Sequence, residues 1–551
     1  MRRRPVAWRM AMLRGAVPGG LLLLAACAGR SGGARGPTAD LPPHRPEPPA
    51  PYMAPAAVVP TPGVREVLRG IADSVLAAPM WRNARWGMLV VDPVRGDTLL
   101  SHDADRLFMP ASNQKLLTGA IALEVLGPDH QWRTPVLLHG RQRGHTFFGD
   151  LLVQGSGDPS VSHALRGGDA ASAFQPVLDA LKARGITRLV GNIRADGDAL
   201  PGATTGYGWA WDDFDAGYSA AIDELLFNEG ELYVQVKAGR KVGQPVVVRT
   251  LPTRSYPRVV VRARTRDSLQ PPVVAAPSGA APPGAAPSGA AQRRAERLTV
   301  AYDSIGDRVV VDGSLALGDS LRVTLAYRHP ADAYLAALRE RLTDSGVVLR
   351  AQRVARRDTL GRAPDTLAVL TSAPFPAVLA RMEKPSQNQM AELFFRSSAL
   401  KATGSGSADS AQALGARVLS QWGIGAQDVA YRDGSGLSRH DYLTPRAVVR
   451  VLDAAHRAPW GELFRNALPV AGVDGTIANR MRGTAAAGNV RAKTGTLDKA
   501  RALSGYVTTA DGQLLLFSLL ANNYSVPTRE VERVQDLIAT YLASTSLVTG
   551  K

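Results

Sequence analysis

A serine and a lysine three residues apart, Ser112 and Lys115, are the pair in this sequence whose types and spacing most directly suggest chemistry. An apolar pattern over 116–126 follows them and Gly127-Pro128 gives a stop signal, so the sequence predicts a helix that begins near Ser112. Residues i and i+3 of a helix share a face, which lets the lysine amine reach the serine hydroxyl. A lysine that is partly removed from water can act as the base that turns a serine into a nucleophile.

The Ser-x-x-Lys pattern alone has little specificity, because it recurs at Ser398 and Lys401, where the pair most simply lies on the solvated side of a helix. Two other motifs, each present once, follow later in the chain: Ser386-Gln387-Asn388 and Lys493-Thr494-Gly495-Thr496. Taken separately, the serine could cap a helix and the lysine could protect an edge strand from aggregation. The occurrence of all three motifs in this order favours a shared catalytic site over unrelated structural roles.

The elements around these motifs predict an α+β fold in which the two ends of the chain build one domain. Longer helices and hairpins occupy 63–135 and 365–546, which are predicted to be the two parts of a catalytic domain. Short β-rich runs dominate 136–364, which is predicted to be an inserted region. Repeats of Pro-Ser-Gly-Ala-Ala within 268–296 cannot build a core and predict a disordered loop there.

The segment 1–27 has the features of an export signal. Arginines at positions 2, 3, 4, 9 and 14 precede an apolar run over 21–26 that is too short to span a bilayer. The run ends in Leu24-Ala25-Ala26-Cys27, which resembles a bacterial lipobox and predicts a lipid anchor on Cys27, hence an exported, membrane-attached protein of the periplasm or cell envelope. Ordinary secretory cleavage after Ala28 is the alternative. Residues 28–62, rich in Pro, Gly and Ala, are predicted to be a disordered tether.

Composition excludes several function classes. The 551 residues carry a formal net charge of +17, but the arginines are scattered and no nucleic-acid-binding motif accompanies them, so no nucleic-acid partner is predicted. Because Cys27 is the only cysteine, an internal disulfide, a cysteine zinc cluster and a Cys–His protease are excluded, and no metal or cofactor is predicted. The only Gly-x-Ser-x-Gly, over 29–33, lies in the predicted tether, which disfavours a Ser-His-Asp hydrolase.

In this order, Ser-x-x-Lys, Ser-x-Asn and Lys-Thr-Gly form the signature set of penicillin-binding proteins and serine β-lactamases. With its long segment between the first two motifs, the sequence resembles the class C low-molecular-mass penicillin-binding proteins, the D-alanyl-D-alanine carboxypeptidase/endopeptidase family, which carry inserted domains there. Similar stretches occur at 104–113, 155–159 and 433–439, and the resemblance covers 64–545. It implies a transpeptidase domain, with an antiparallel sheet flanked by helices, and a large inserted β-rich region.

The resemblance implies a serine-type carboxypeptidase, with endopeptidase action left open, that acts on peptidoglycan stem peptides and is covalently inhibited by β-lactams. Ser112 would attack the carbonyl of the penultimate D-alanine to form an acyl-enzyme, and Lys115 would take the hydroxyl proton. Ser386 would relay a proton to the leaving amine. Asn388 would hold Lys115 and the substrate backbone.

The resemblance also implies how the substrate carboxylate and the reacting carbonyl are recognised. Lys493, with Thr494, Gly495 and Thr496, would bind the terminal carboxylate through charge and hydrogen-bond donors. The backbone N–H groups of Ser112 and Thr496 would form an oxyanion hole.

A second set of substrate contacts is implied at the inserted region. Trp209, Asp212 and Tyr218 resemble the stretch by which the family's inserted domain approaches the active site, where an acidic residue helps bind the free amine of the substrate side chain, often diaminopimelate. Arg439 matches a position that contacts the same group. The alternative is that these aromatic residues only pack a domain junction.

Two other functions stay open at this point. A serine β-lactamase would share the fold and the motifs, but class A enzymes use a glutamate to activate water and lack an insertion of this size, and no such glutamate stands out in the sequence. A non-catalytic, wall-binding lipoprotein on the same fold is the second alternative, and the complete motif set argues against it.

Overall fold

A computed structural model of the chain describes residues 62–267, 298–303, 306–351 and 362–547. The predicted export segment 1–27 with Cys27, the predicted tether apart from residue 62, and the predicted loop 268–296 lie outside the described residues. None of the helices in the described ranges is long and apolar enough to cross a membrane.

Helices and strands alternate in the two end segments, and strands dominate between them. The strands are β1 (Arg85–Asp92), β2 (Asp97–His102), β3 (Arg133–Arg143), β4 (Thr146–Gln154), β5 (Arg188–Val190), β6 (Ile193–Asp196), β7 (Glu231–Lys237), β8 (Val247–Leu251), β9 (Arg258–Val261), β10 (Arg264–Arg266), β11 (Thr299–Asp303), β12 (Arg308–Asp312), β13 (Ser314–Ala316), β14 (Ser320–Ala326), β15 (Val348–Arg350), β16 (Asp365–Thr371), β17 (Val429–Ala430), β18 (Tyr442–Leu443), β19 (Arg491–Leu497), β20 (Ala500–Thr508) and β21 (Leu514–Asn522). The helices are α1 (Pro62–Ala77), α2 (Gln114–Leu126), α3 (Gln175–Ala183), α4 (Pro330–Asp344), α5 (Phe375–Glu383), α6 (Asn388–Thr403), α7 (Ala408–Gln421), α8 (Pro445–Arg457), α9 (Gly461–Ala467) and α10 (Thr528–Ser544).

A five-stranded antiparallel sheet, in the order β19-β20-β21-β1-β2, joins the two ends of the chain. Successive side chains of a strand point to opposite faces of a sheet. Met88 and Phe517 accordingly belong to an apolar core shared with α1 and α10. Leu89 and Leu516 belong to the core on the other face, shared with α2 and α8. Helices therefore cover both faces, which confirms the predicted α+β fold with an antiparallel sheet flanked by helices.

Helix α2 lies in the interior of the domain and carries the first motif. Every residue from Gln114 to Leu123 is buried, because α5, α6 and α8 pack around it. A helix that is apolar on all sides is typical of such a position. Gly127, with φ 84, ends the helix as the sequence predicted.

The inserted region is built on a second sheet, of six strands in the order β15-β5-β4-β3-β16, with β6 beside β4. Helices α3 and α4 share one apolar core with this sheet. Smaller sheets, β14-β7-β8, β11-β12-β9 and β10-β13, lie within the same stretch of chain. A large β-rich insertion is therefore confirmed.

The sheet of the inserted region extends past its predicted limits at 136 and 364. Strand β16 pairs antiparallel with β3, from Asp365 opposite Leu138 to Thr371 opposite Arg133. Residues 365–371, which the sequence placed in the second catalytic part, and 133–135, which it placed in the first, are therefore strands of the inserted sheet. Pairing between such distant segments depends on register and leaves no local pattern to detect.

Candidate active site

Ser112 is half-buried in a single 3-10 turn, Ala111–Asn113, that leads into α2. Ala111 has φ 48, a left-handed conformation that is uncommon for a residue with a side chain and costs energy. Strand β19 approaches this turn closely, since a Cβ added to Gly495 would lie 2.3 Å from the carbonyl oxygen of Pro110. The third motif therefore touches the backbone that carries the serine.

Lys115 is completely buried, and its amine has three hydrogen-bond acceptors. Nζ donates to Ser112 Oγ at 3.0 Å, to Asn388 Oδ1 at 2.6 Å and to the carbonyl of Ser435 at 2.7 Å. Burial lowers the pKa of Lys115 to about 8, although nearby carboxylates, led by Glu383, oppose this shift. Such a pKa places the amine near the point where it can accept a proton at physiological pH.

Ser386 and Asn388 lie at the start of α6 and form hydrogen bonds with different lysines. Gln387 caps this helix, because its side chain accepts a hydrogen bond from the backbone N–H of Met390 at 3.0 Å. The cap role considered for Ser386 is therefore wrong; that residue has φ 68, and its hydroxyl accepts a hydrogen bond from Lys493. Asn388 uses both ends of its amide, with its oxygen bonded to Lys115 and its nitrogen donating to the Tyr218 carbonyl at 2.7 Å.

Lys493 lies on an edge strand, yet its side chain is completely buried, so protection against aggregation does not explain it. Nζ donates to Ser386 Oγ at 2.8 Å and to the carbonyl of Thr494 at 3.1 Å. Burial, followed by the charge of Lys115, lowers the pKa of Lys493. The carbonyl of Lys493 accepts from the Asn113 side chain at 2.9 Å, which ties β19 to the turn of the serine.

The two threonines of the third motif are placed differently. Thr494 is buried and donates to the hydroxyl of Thr476 at 2.7 Å. Thr496 is exposed, and its hydroxyl accepts a hydrogen bond from the guanidinium of Arg501 on the neighbouring strand. Arg501 also pairs with Glu532, so the threonine is held by a fixed cation.

The predicted contacts in the inserted region are only partly brought to this site. Tyr218 reaches it through its backbone carbonyl, while its exposed phenol donates to Asp213 Oδ1 at 2.5 Å. Partial removal of the phenol from water, then the hydrogen bond to Asp213, raises its pKa to about 12. Asp212 is exposed in the adjoining turn Trp211–Asp213.

Trp209 and Arg439 make structural contacts. The indole N–H of Trp209 donates to Asp433 Oδ2 at 2.8 Å, and the ring is buried at the junction between the inserted region and the loop at 433–438. Arg439 is exposed and donates to the carbonyl of Asp498 at 3.3 Å, close to the end of β19. Trp209 therefore fits the alternative given for the aromatic residues, which is that they pack a domain junction.

Several residues of the site were not predicted from the sequence. Ser435 supplies a backbone acceptor to Lys115, and its own N–H donates to Glu392 Oε1 at 2.9 Å. Asp433 accepts from the N–H groups of Gly436 and Ser438, at 2.6 and 2.8 Å, and so shapes the same loop. The stretch 433–439 was singled out by resemblance, which was the available signal. Glu383, buried near both lysines, had no signal.

The described residues offer no second centre of this kind. In the repeated Ser-x-x-Lys pair, Ser398 is buried and donates to the carbonyl of Phe394 in its own helix at 2.7 Å, whereas Lys401 is exposed. The prediction of a solvated pair is therefore right for the lysine and wrong for the serine. Among residues 62–267, 298–303, 306–351 and 362–547, no group of His, Cys, Asp and Glu could hold a metal ion.

Comparisons with known proteins identify the family of the chain. Residues 68–545 match the D-Ala-D-Ala carboxypeptidase 3 (S13) family. A D-alanyl-D-alanine carboxypeptidase of an Actinomadura species is 32% identical over 497 residues, covering 86% of this chain and 84% of that protein. Carboxypeptidase DacB of Mycolicibacterium smegmatis is 28% identical over 538 residues, covering 94% and 95%.

The fold is also similar to a solved structure, the crystal structure of penicillin binding protein 4 (dacB) from Haemophilus influenzae. The TM-score is 0.66 at 24% identity, over 85% of this chain and 98% of that one. The family match spans most of the chain, and the three motifs that characterise such enzymes meet at one site. The chain therefore belongs to the D-Ala-D-Ala carboxypeptidase 3 (S13) family.

Proposed function

We propose that the chain hydrolyses the terminal D-alanyl-D-alanine bond of peptidoglycan stem peptides through an acyl-enzyme on Ser112. As a member of its family it is a serine-type D-alanyl-D-alanine carboxypeptidase. The observation that carries the residue assignment is the hydrogen-bond network of Lys115, whose amine joins Ser112 of the first motif to Asn388 of the second.

Acylation begins with transfer of the Ser112 hydroxyl proton to the neutral amine of Lys115. The serine oxygen then attacks the carbonyl carbon of the penultimate D-alanine, and the carbonyl electron pair moves onto its oxygen. The N–H groups of Ser112 and Thr496 stabilise this oxyanion, and one such donor lowers the barrier by about 3 kcal/mol. The oxyanion then re-forms the carbonyl as the C–N bond breaks, and the proton that Lys115 took passes through Ser386 to the nitrogen of the leaving D-alanine. An ester remains on the serine, and Lys115 is again neutral.

The terminal carboxylate binds along β19. A positive charge on Lys493 attracts the carboxylate, and the exposed hydroxyl of Thr496 lies at the same edge of the sheet. Arg501 is held by Glu532 and by Thr496, so it fixes the threonine in place. Charge-assisted hydrogen bonds of this kind are about twice as strong as neutral ones.

Water completes the cycle by hydrolysing the ester, again with Lys115 as the base.

A β-lactam presents its ring amide to the same serine, and the ring-opened acyl group stays attached, which accounts for covalent inhibition. Cleavage of a cross-link peptide is the same reaction with a larger amine as the leaving group, so endopeptidase action belongs to the proposal. Slow release of the penicilloyl adduct is expected, and rapid turnover of penicillin would instead indicate a β-lactamase.

Recognition of the substrate side-chain amine belongs to the carboxylate of Asp212 in this proposal. The exposed carboxylate of Asp212 lies close to Tyr218, whose carbonyl is bonded to Asn388. The Asp212→Asn variant should raise KM for a peptide with a free side-chain amine by about tenfold and leave KM for the acetylated peptide unchanged. Equal changes for both peptides would assign Asp212 a structural role.

The decisive experiment compares two serines. Ser112→Ala should abolish both D-alanine release from a diacetyl-lysyl-D-alanyl-D-alanine peptide and labelling by a fluorescent penicillin. Ser398→Ala, in the repeated motif, should retain both. Turnover that persists in Ser112→Ala would refute the assignment of the nucleophile.

Export and lipid anchoring remain part of the proposal and rest on the sequence Leu24-Ala25-Ala26-Cys27. In a bacterial host, wild-type protein should incorporate labelled palmitate and sediment with membranes. The Cys27→Ser variant should lose both properties. Labelling that survives this substitution would place the lipid elsewhere or exclude the anchor.

A further inference from the structure

One face of a small sheet in the inserted region carries three cations that no described carboxylate neutralises. The sheet is β14-β7-β8, and its other face contributes Val234 and Val236 to the core of the insertion. Lys237, Arg249 and Arg322 are exposed, and none of them forms an ion pair or a side-chain hydrogen bond with another described residue. These three residues are called the basic face, and their uncompensated charge attracts anions from solution.

Strand register places the three cations on the same side of the sheet. Arg322 lies opposite Gln235, and Gln235 lies opposite Arg249, so the two arginines share one row across the sheet. Neighbouring strands are about 4.8 Å apart, which separates the Cα atoms of the two arginines by about 10 Å. Lys237 follows Gln235 by two residues and therefore points to the same side, about 7 Å further along β7. Three cations at this spacing suit an extended polyanion better than a single small anion.

The basic face begins beside a turn that contacts the active site. A Cβ added to the first residue of the turn Gly217–Ser219 would lie 2.9 Å from Thr324 Cγ2, so the turn packs against the side chain of Thr324. Arg322 is two residues away from Thr324 and shares its side of the sheet. The middle residue of the turn, Tyr218, accepts a hydrogen bond from Asn388 through its carbonyl. The surface therefore continues from the catalytic cleft to the cations.

We propose that the basic face is a docking surface for polymeric peptidoglycan and binds the carboxylates of stem peptides that neighbour the one in the cleft. This inference rests on the proposed function, in which Lys493 binds the terminal carboxylate and Asp212 receives the side-chain amine. With Asp212 on the insertion, the polymer leaves the cleft on the side of the insertion. Each neighbouring stem peptide that is not cross-linked ends in a carboxylate, so the polymer is a polyanion that complements the three cations.

An anionic membrane is the competing partner. Val247 and Leu251 are exposed on either side of Arg249 along β8, and a surface that combines apolar and basic side chains can also bind anionic lipids. Continuity with the turn that contacts Asn388 favours the substrate polymer, because a membrane has no need to lie next to the cleft. The experiment therefore includes lipid vesicles.

The first measurement is binding without turnover. Ser112→Ala protein is sedimented with insoluble peptidoglycan that has been freed of phosphate-containing polymers. Adding Lys237→Gln, Arg249→Gln and Arg322→Gln should raise the concentration for half-maximal binding by about tenfold, since each exposed ion pair contributes modestly and three act together. In 1 M salt, where the Debye length is about 3 Å, the two proteins should bind equally.

Amidated peptidoglycan identifies the group that is bound. Converting the carboxylates of the polymer to amides removes the anions, so the protein with the three substitutions and the protein without them should then bind equally. A tenfold difference that persists on the amidated polymer would overturn the inference.

The second measurement is activity, with the three substitutions in the otherwise wild-type chain. KM for D-alanine release from the polymer should rise by about tenfold, while kcat/KM for the diacetyl-lysyl-D-alanyl-D-alanine peptide and labelling by penicillin should stay unchanged. The matched control carries Arg69→Gln, Lys182→Gln and Arg417→Gln, which remove the same charges from exposed positions on α1, α3 and α7. This control should behave as wild type in every assay.

Four outcomes would contradict the docking surface. Unchanged binding and KM on the polymer, equal losses on the polymer and the small peptide, or an equal loss in the control variant would each overturn the inference. The fourth is binding to vesicles of phosphatidylglycerol and phosphatidylethanolamine that the three substitutions abolish while KM for the polymer stays at the wild-type value. Wild-type protein that releases no D-alanine from the small peptide would refute the proposed function instead, and binding by Ser112→Ala would still decide the inference.

Discussion

Replacing Gly495 with alanine should slow acylation of Ser112 far more than it destabilises the fold. The added Cβ would lie 2.3 Å from the carbonyl oxygen of Pro110, 3.0 Å from the Cβ of Ala502 and 3.2 Å from the Cβ of Ala111. Backbone oxygen cannot give way as a flexible side chain does. To restore van der Waals contact, β19 and the serine turn must separate by roughly 1 Å.

The Gly495→Ala substitution should reduce the rate of acylation more strongly than the free energy of unfolding. Overpacking of this kind costs about 1–3 kcal/mol of stability, which a domain of this size tolerates. A displacement of about 1 Å between reacting groups costs about 100-fold in rate. Ser112 and Thr496 lie on opposite sides of the contact between the serine turn and β19, so separating these two elements moves the reacting groups apart. The substitution should therefore lower the rate of acylation more than it lowers stability.

The assay combines time-resolved labelling by a fluorescent penicillin with the thermal midpoint of unfolding. Gly70→Ala is the control, because nothing lies within 4 Å of the added Cβ on helix α1. It should leave labelling unchanged and raise stability by about 0.5–1 kcal/mol. Labelling of Gly495→Ala within about threefold of wild type would refute the argument that this contact holds the site together.

Three further outcomes are expected. Burial lowers the pKa of Lys115 from 10.5 to about 8, so the rate of acylation should rise with pH up to about 8. Between pH 8 and 10.5 the unfolded chain holds the proton of this lysine and the folded chain does not, so the free energy of unfolding of wild type increases with pH. Thermal unfolding should therefore show that wild type is less stable than Lys115→Met by an amount that shrinks as pH rises over this range. Asn388→Ala removes bonds to Lys115 and to the Tyr218 carbonyl, and labelling should fall by about 100-fold while stability falls by about 1–2 kcal/mol. Trp209→Phe removes one hydrogen bond to the buried Asp433 and should cost about 1–2 kcal/mol in unfolding measurements without slowing labelling more than about threefold.

Local patterns predicted the elements that carry the chemistry. The apolar repeat after Ser112 predicted a helix where α2 is found. Three motifs predicted that residues far apart in the chain share a site, and the structure brings them together. Residue types and helical spacing are local properties, which is why the sequence reveals them.

Properties that depend on distant partners were not predicted. Residues 365–371 were assigned to the second catalytic part, because β3, the partner of strand β16, lies more than two hundred residues earlier. The edge position of β19 suggested an exposed lysine, but the packing of Ser386 against it buries Lys493. Whether a charged side chain is buried depends on the distant segments that pack against it, and a local sequence pattern does not contain this information.

The amide of Asn388 makes the inserted region less modular than its separate core suggests. One end of this side chain holds the catalytic amine and the other holds the backbone of residue 218, which belongs to the insertion. A chimera that exchanges the insertion for that of a relative must therefore preserve the position of this one carbonyl to within a hydrogen bond. A change in the insertion that displaced this carbonyl would therefore reach the catalytic amine through one side chain.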